Sequence, residues 1–286
     1  MPPVMPPPAR TNAVLPVPCL RTARVRCERR TLSAGRSPSP CSPSGWAAMC
    51  LPILLGAVPY FYATRREGDL VVIAGADARH LAGPLRARVG ERISVVDPAG
   101  YLLSVRLSSV SSREVAGTVV ETQPHDPEPR AKVTVGISLL PAQQLEYTLS
   151  RCTELGAASF LLIAAERSVS RAVKPERWAA ICREAAMLAG RLRIPSVSGP
   201  VPLREALSED GLMLDRSGES RLIDRIKGDC TLLIGPEGGW SPAELELGAG
   251  RLVTMGPSNL RADTAAIAAL GVIVVSGTGT AHGSGP

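Results

Sequence analysis

Aromatic side chains are scarce: two Phe, three Trp and four Tyr amount to 3% of the chain. Single-strand binding folds stack bases on rows of aromatics, so that mode of nucleic-acid recognition is excluded. Histidine is as sparse, with His80, His125 and His282 far apart, and none of the seven cysteines forms a Cys-x-x-Cys pair. A zinc cluster has no ligands to draw on, and no metal is expected. An odd, scattered set of thiols does not make a disulfide framework, and a reducing, cytoplasmic compartment fits it best. Also missing are a Gly-x-Gly-x-x-Gly fingerprint and a phosphate-loop lysine. Their absence argues against a dinucleotide-dependent oxidoreductase and against pyrophosphate binding.

What is present is unevenly spread. The formal charge of +6 is carried by residues 1–48, where seven arginines face the single Glu28, so residues 49–286 are neutral. The basic balance therefore says nothing about the folded part, and any case for RNA rests on local clusters. Residues 1–48 are rich in Pro, Arg and Ser without apolar periodicity and read as disordered, with the whole extension bounded at 1–55. Three readings of this segment stay open. It suits a transit peptide, or translated sequence upstream of a start at Met49, or a signal or anchor helix in the uncharged run 45–64. Pro52, Gly56 and Pro59 interrupt that last run, and no membrane partner is expected.

From 60 to 121 the pattern is mostly strands, at 60–64, 70–74, 93–97, 102–108 and 115–120, with a short helix at 77–89. This suits a small barrel over 56–123. Three prolines within Gln123-Pro124-His125-Asp126-Pro127-Glu128-Pro129 mark a linker at 124–131. Beyond it strand and helix alternate: strands at 133–140, 160–164, 212–214, 231–234 and 252–255, helices at 146–156, 175–190, 242–247 and 264–275. Gly156 is placed to cap the first of these helices. In the second, Trp178, Ile181, Cys182, Ala185 and Leu188 form the inner face. Such alternation predicts an α/β domain over 132–280, with a parallel sheet covered on both sides.

Three local signals carry chemistry. In Ile234-Gly235-Pro236-Glu237-Gly238-Gly239-Trp240-Ser241-Pro242-Ala243-Glu244 a buried strand enters a glycine-rich turn and then a helix with a complete capping box. Glycines at the carboxyl end of a parallel strand let the backbone approach a ligand. The second signal is Met255-Gly256-Pro257-Ser258-Asn259-Leu260-Arg261-Ala262-Asp263-Thr264. It leads into a helix of small residues that Asp263 or Thr264 is placed to cap. Third, basic residues gather at 166–193, net +4 with Glu166, Glu176 and Glu184 counted, and at Arg79, Arg86, Arg88 and Arg92 with Glu91, net +3. Either is a possible phosphate footprint or a solvated face.

Six of these motifs, in order, resemble the bacterial family that methylates ring nitrogen N3 of a uridine in small-subunit (16S) ribosomal RNA, a branch of the SPOUT methyltransferases. The resemblance rests on Ala78-Arg79-His80-Leu81 with Leu85-Arg86, on Cys152-Thr153-Glu154-Leu155-Gly156, and on Glu166-Arg167-Ser168. Glu184-Ala185-Ala186 with Arg191-Leu192-Arg193-Ile194-Pro195, Gly235-Pro236-Glu237-Gly238-Gly239 and Leu260-Arg261-Ala262-Asp263-Thr264-Ala265 complete it. It implies a PUA-like β-barrel followed by a SPOUT-type parallel sheet with a C-terminal trefoil knot, and a homodimer packed through the knotted region. It implies S-adenosylmethionine as cofactor, held by loops carrying Leu214, then Gly235, Pro236, Glu237, Gly238 and Gly239, then Met255, Gly256 and Leu260. For small-subunit ribosomal RNA the expected contacts are Arg79, Arg86, Arg88, Arg167, Arg191 and Arg193.

Methyl transfer to N3 requires loss of a proton, so Arg261 is the candidate for stabilising the resulting anion. Asp263 is the candidate for taking the proton; Glu237 could do so too but is expected to be structural. The chain departs from the family at Pro141-Ala142-Gln143, where a lysine is usual. It also differs at Met187, Leu188 and Ala189 in place of Gln and Ser, at Ser258-Asn259, and at Asp263 for Glu. These departures keep two alternatives in view: a non-catalytic RNA-binding assembly factor of the same fold, and a methyltransferase acting on another RNA.

Overall fold

The structure, a computed structural model, describes residues 59–277 apart from Arg171. The expectations for 1–55, for Arg171 and for the end of the chain lie outside the described residues.

The first part of the described chain forms β1 (Phe61–Tyr62), β2 (Arg65–Glu67), β3 (Leu70–Ala74), α1 (Ala76–Ala82), β4 (Arg92–Asp97), β5 (Tyr101–Val110) and β6 (Glu114–Pro124). They make a six-stranded sheet in the order β1-β4-β5-β6-β3-β2, antiparallel except for β1 beside β4. The helix expected at 77–89 ends at Ala82, because Pro84 disfavours helical geometry at the residue before it. The chain then turns through Arg86, whose φ of 51° is unusual for a side chain with a Cβ.

The second part comprises β7 (Val133–Ser138), α2 (Ala142–Leu155), β8 (Ser159–Ile163), α3 (Pro175–Ala189), β9 (Ser196–Val201), α4 (Leu203–Ala206) and β10 (Gly211–Leu214). After these come β11 (Ser220–Arg221), α5 (Leu222–Arg225), β12 (Cys230–Ile234), α6 (Pro242–Leu247), β13 (Leu252–Thr254) and α7 (Ala262–Gly277). The sheet is parallel throughout, as the alternation of strand and helix predicts, in the order β11-β13-β10-β12-β7-β8-β9. Successive residues of a strand face opposite sides, and both sides are apolar. Leu232 and Ile234 of β12, Phe160 and Leu162 of β8 and Leu212 of β10 join the core beneath α2, α3 and α7. Their neighbours Leu233, Ile163 and Met213 join the core on the other face, with Trp240.

Helix α3 belongs to two cores. Trp178, Ile181 and Cys182 pack in the parallel-sheet core, whereas Ala186 and Met187 pack in that of the first sheet. Leu188, expected on the inner face, is 52% exposed instead. The last turn of the helix meets a second apolar surface, so Met187 takes the inward position.

Further contacts join the two sheets there. Tyr60 N–H donates to the Met187 carbonyl at 3.0 Å, and Arg183 pairs with the buried Asp77. The segment 124–131 between the sheets is anchored at Glu128 and Ala131. Glu128 accepts from the N–H groups of Leu192 and Arg193 at 2.9 and 3.1 Å, and Ala131 is buried.

Candidate active site at the carboxyl ends of the parallel strands

The sheet order brings β10, β12 and β13 side by side, so the three loops that leave their carboxyl ends share one rim. Ligands of open parallel sheets bind at that rim. Beyond β12 the chain turns through 235–239, where Gly239 N–H donates to the Pro236 carbonyl at 2.8 Å. Gly239 has a φ of +68°, a region that favours glycine. The turn stops where α6 begins. Ser241 Oγ accepts from Glu244 N–H at 3.2 Å, and Glu244 returns a carboxylate oxygen to Ser241 N–H at 2.8 Å. This is the capping box read from the sequence, and both of its residues are buried.

Trp240 connects this turn to the next loop. Its indole Nε1–H donates to the Leu214 carbonyl at 3.0 Å. Its ring lies so close to Gly235 that a Cβ there would sit 3.0 Å from Cε2. After β10, Asp215 Oδ1 accepts from Ser217 N–H at 2.8 Å and from Ser217 Oγ, which shapes the second loop. The third loop follows β13, where Gly256 N–H donates to Thr254 Oγ1 at 3.2 Å.

These loops enclose a cavity of about 680 Å³. Leu214, Gly235, Pro236, Glu237, Gly238, Gly239, Met255, Gly256 and Leu260 all line it, and so does Arg261. Arg167, Asp215, Arg216 and Ser217 line it as well. The last three are residues that the sequence does not single out, since a four-residue strand such as β10 leaves little periodicity to mark the loop behind it. Glu237 is held by Gln144, whose Nε2 donates to its carboxylate at 3.2 Å. Gln144 directly follows Pro141-Ala142-Gln143 at the start of α2.

Two expected site residues stand elsewhere. Asp263 does not line the cavity, and its Oδ1 accepts from Thr264 N–H at 2.7 Å. Helix α7 starts at Ala262, two residues earlier than a cap at Asp263 requires, so Asp263 falls in the first turn. Arg191, expected at an RNA face, is 3% exposed. Its guanidinium pairs with Glu128 and donates to the carbonyls of Thr153 and Ala157 at 3.1 and 2.6 Å. An arginine whose donors are spent on buried acceptors cannot also meet a phosphate.

The same reasoning shrinks the whole 166–193 cluster. Arg177 pairs with Glu146 at 3.0 Å and Arg183 with Asp77. Arg193 is exposed, and on the first sheet Arg79, Arg86, Arg88 and Arg92 are exposed too. Arg167 sits at the cavity instead, donating from Nη1 to the carbonyls of Gly238 and Trp240 at 3.0 and 3.1 Å. Among the described residues, no helix is long and apolar enough to cross a membrane.

Comparison with known proteins converges on this region. A family model described as an RNA methyltransferase domain matches residues 126–274. Over 229 residues the chain is 32% identical to the ribosomal RNA small subunit methyltransferase E of Mycobacterium bovis, covering 73% of this chain and 87% of that protein. The Bacillus subtilis protein of the same name is 29% identical over 231 residues, covering 72% and 90%. Among solved structures, the Neisseria gonorrhoeae ribosomal RNA small subunit methyltransferase E bound to S-adenosyl methionine superimposes with a TM-score of 0.67 at 28% identity. That match covers 74% of this chain and 94% of the other. With the family model spanning all three cavity loops and a relative 32% identical over most of both chains, the chain belongs to the ribosomal RNA small subunit methyltransferase E family.

Proposed function

We propose that this protein transfers a methyl group from S-adenosylmethionine to ring nitrogen N3 of a uridine in small-subunit ribosomal RNA. The observation that carries this reading is the convergence of three loops, after β10, β12 and β13, on one cavity. Its size lies within the range of small-molecule sites. Leu214, Met255 and Leu260 offer apolar contact to a flat purine. At Gly239 and Gly256 nothing lies within 4 Å of where a Cβ would be, so the backbone there is open to a ligand.

S-adenosylmethionine supplies an electrophilic methyl carbon bonded to a positively charged sulfur. The protein's tasks are to align the acceptor nitrogen behind that carbon and to manage one proton. Glu237, held by Gln144, takes the proton from N3. Arg261 stabilises the negative charge that this leaves on the uracil ring. With S-adenosylmethionine bound in the cavity, the nitrogen so deprotonated and stabilised would be the acceptor of its methyl group.

In this reading the first sheet is a PUA-like barrel that grips RNA through Arg79, Arg86 and Arg88, with Arg193 on the second domain. The C-terminal segment through α7 threads a trefoil knot. A homodimer packs through it, since α7 carries no charge after Asp263 and a helix apolar on every side needs cover. Membership of a family of ribosomal RNA methyltransferases supports work in the cytoplasm.

The test is Arg261→Ala. S-adenosylmethionine affinity, measured by calorimetry, should hold while methylation of small-subunit ribosomal RNA is lost. Unchanged methylation discards the role given to Arg261. Mass spectrometry of ribosomal RNA from cells with and without the gene tests the nucleotide itself.

A further inference from the structure

The segment Glu166-Arg167-Ser168 leaves the carboxyl end of β8 and is fastened to the glycine turn at two points. Glu166 N–H donates to Glu244 Oε1 at 2.9 Å, while the other oxygen of that buried carboxylate accepts from Ser241 N–H. Arg167 supplies the second point, its Nη1 donating to the carbonyls of both Gly238 and Trp240. A turn with glycines at 235, 238 and 239 has much backbone freedom to lose, so its shape needs an external tether. The tether reaches further, because Trp240 also bonds the Leu214 carbonyl and packs on Gly235. One guanidinium thus holds two of the three cavity loops in register.

We propose that Arg167 is a positioning residue for the cofactor, setting the 235–239 turn and, through Trp240, the loop after β10, and that it is not a phosphate contact. This rests on the reading of the cavity as the S-adenosylmethionine site. Hydrogen bonds from a charged donor contribute more than neutral ones, although the exposure of Arg167 tempers the gain. A lysine offers one point charge without the planar fork, so it replaces the function in part.

The experiment compares the full-length chain with Arg167→Ala, Arg167→Lys and Trp240→Phe. Calorimetry gives S-adenosylmethionine affinity, and steady-state methylation of a small-subunit ribosomal RNA fragment gives the kinetic split. For Arg167→Ala the expected result is a rise of about tenfold or more in Kd and KM for S-adenosylmethionine. KM for RNA and kcat at saturating cofactor should stay within about twofold, as uniform loss of cofactor binding requires. Arg167→Lys should recover part of the loss. Trp240→Phe, which removes the indole donor and leaves Arg167 in place, should weaken the cofactor and spare RNA.

Preserved cofactor affinity with weaker RNA binding and a shallower salt dependence would overturn the proposal and make Arg167 a phosphate contact. Equal loss of both affinities with a lowered melting midpoint would overturn it in favour of a structural role. Failure of the unaltered chain to bind S-adenosylmethionine is a separate outcome, which retires the cofactor reading itself.

Discussion

Arg191 and Arg261 are both arginines in motifs that the sequence singles out, yet burial gives them opposite work. Arg191 spends its donors on Glu128 and two carbonyls inside the protein, while Arg261 stands exposed at the cavity. Removing one partner of a buried ion pair strands the other charge, at a cost of about 3–5 kcal/mol. Arg191→Ala should therefore lower stability by that order in chemical denaturation. Arg261→Ala should leave stability nearly unchanged, as exposed substitutions do. The two motifs were legible in the sequence, but which arginine is spent internally was not. That depends on Glu128 lying beside the end of α3, a contact between residues 63 positions apart.

The start of α6 is the element most fully written in local sequence. Ser241 caps, Pro242 takes the first helical position and Glu244 closes the box, all within four residues. Ser241→Ala should cost about 0.5–2 kcal/mol, read as a lowered denaturation midpoint. A midpoint that does not move would mean that water replaces the cap. The α7 start was less legible, because Asp263 and Thr264 look like caps while the helix already begins at Ala262. Short elements such as β11, α4 and α5 left no periodicity to read. Each is held by neighbours: β11, for instance, pairs only two residues with β13.

Across the whole molecule, burial of thiols and a phenol sets an alkaline limit. Cys152 is pushed up from 9.0 to about 12 by burial, Cys230 to about 11 by burial and nearby carboxylates. Tyr62 rises from 10.0 to about 12, again mainly through burial, and its hydroxyl donates to the Arg191 carbonyl at 2.8 Å. The folded state keeps these protons after the unfolded chain has released them. Stability must then fall as pH rises from about 9 towards about 12, in proportion to the difference in bound protons. Chemical denaturation across that window should show a steadily declining midpoint. A level midpoint would show that these groups are solvated in the folded state.

The sequence by itself determined the alternation of strand and helix, the glycine turn with its capping box, and the stretches that belong to the cavity. Those are properties of short windows: periodicity, cap chemistry and the conformational freedom of glycine. The resemblance named the three loops, but it is the tertiary structure that brings them together, since the order β13-β10-β12 places side by side strands far apart in the chain. It also decided which charges are free, because burial and pairing are made by contacts between distant segments. Arg167 at the turn, Arg191 in the interior and Asp263 on its own helix are the three places where that mattered.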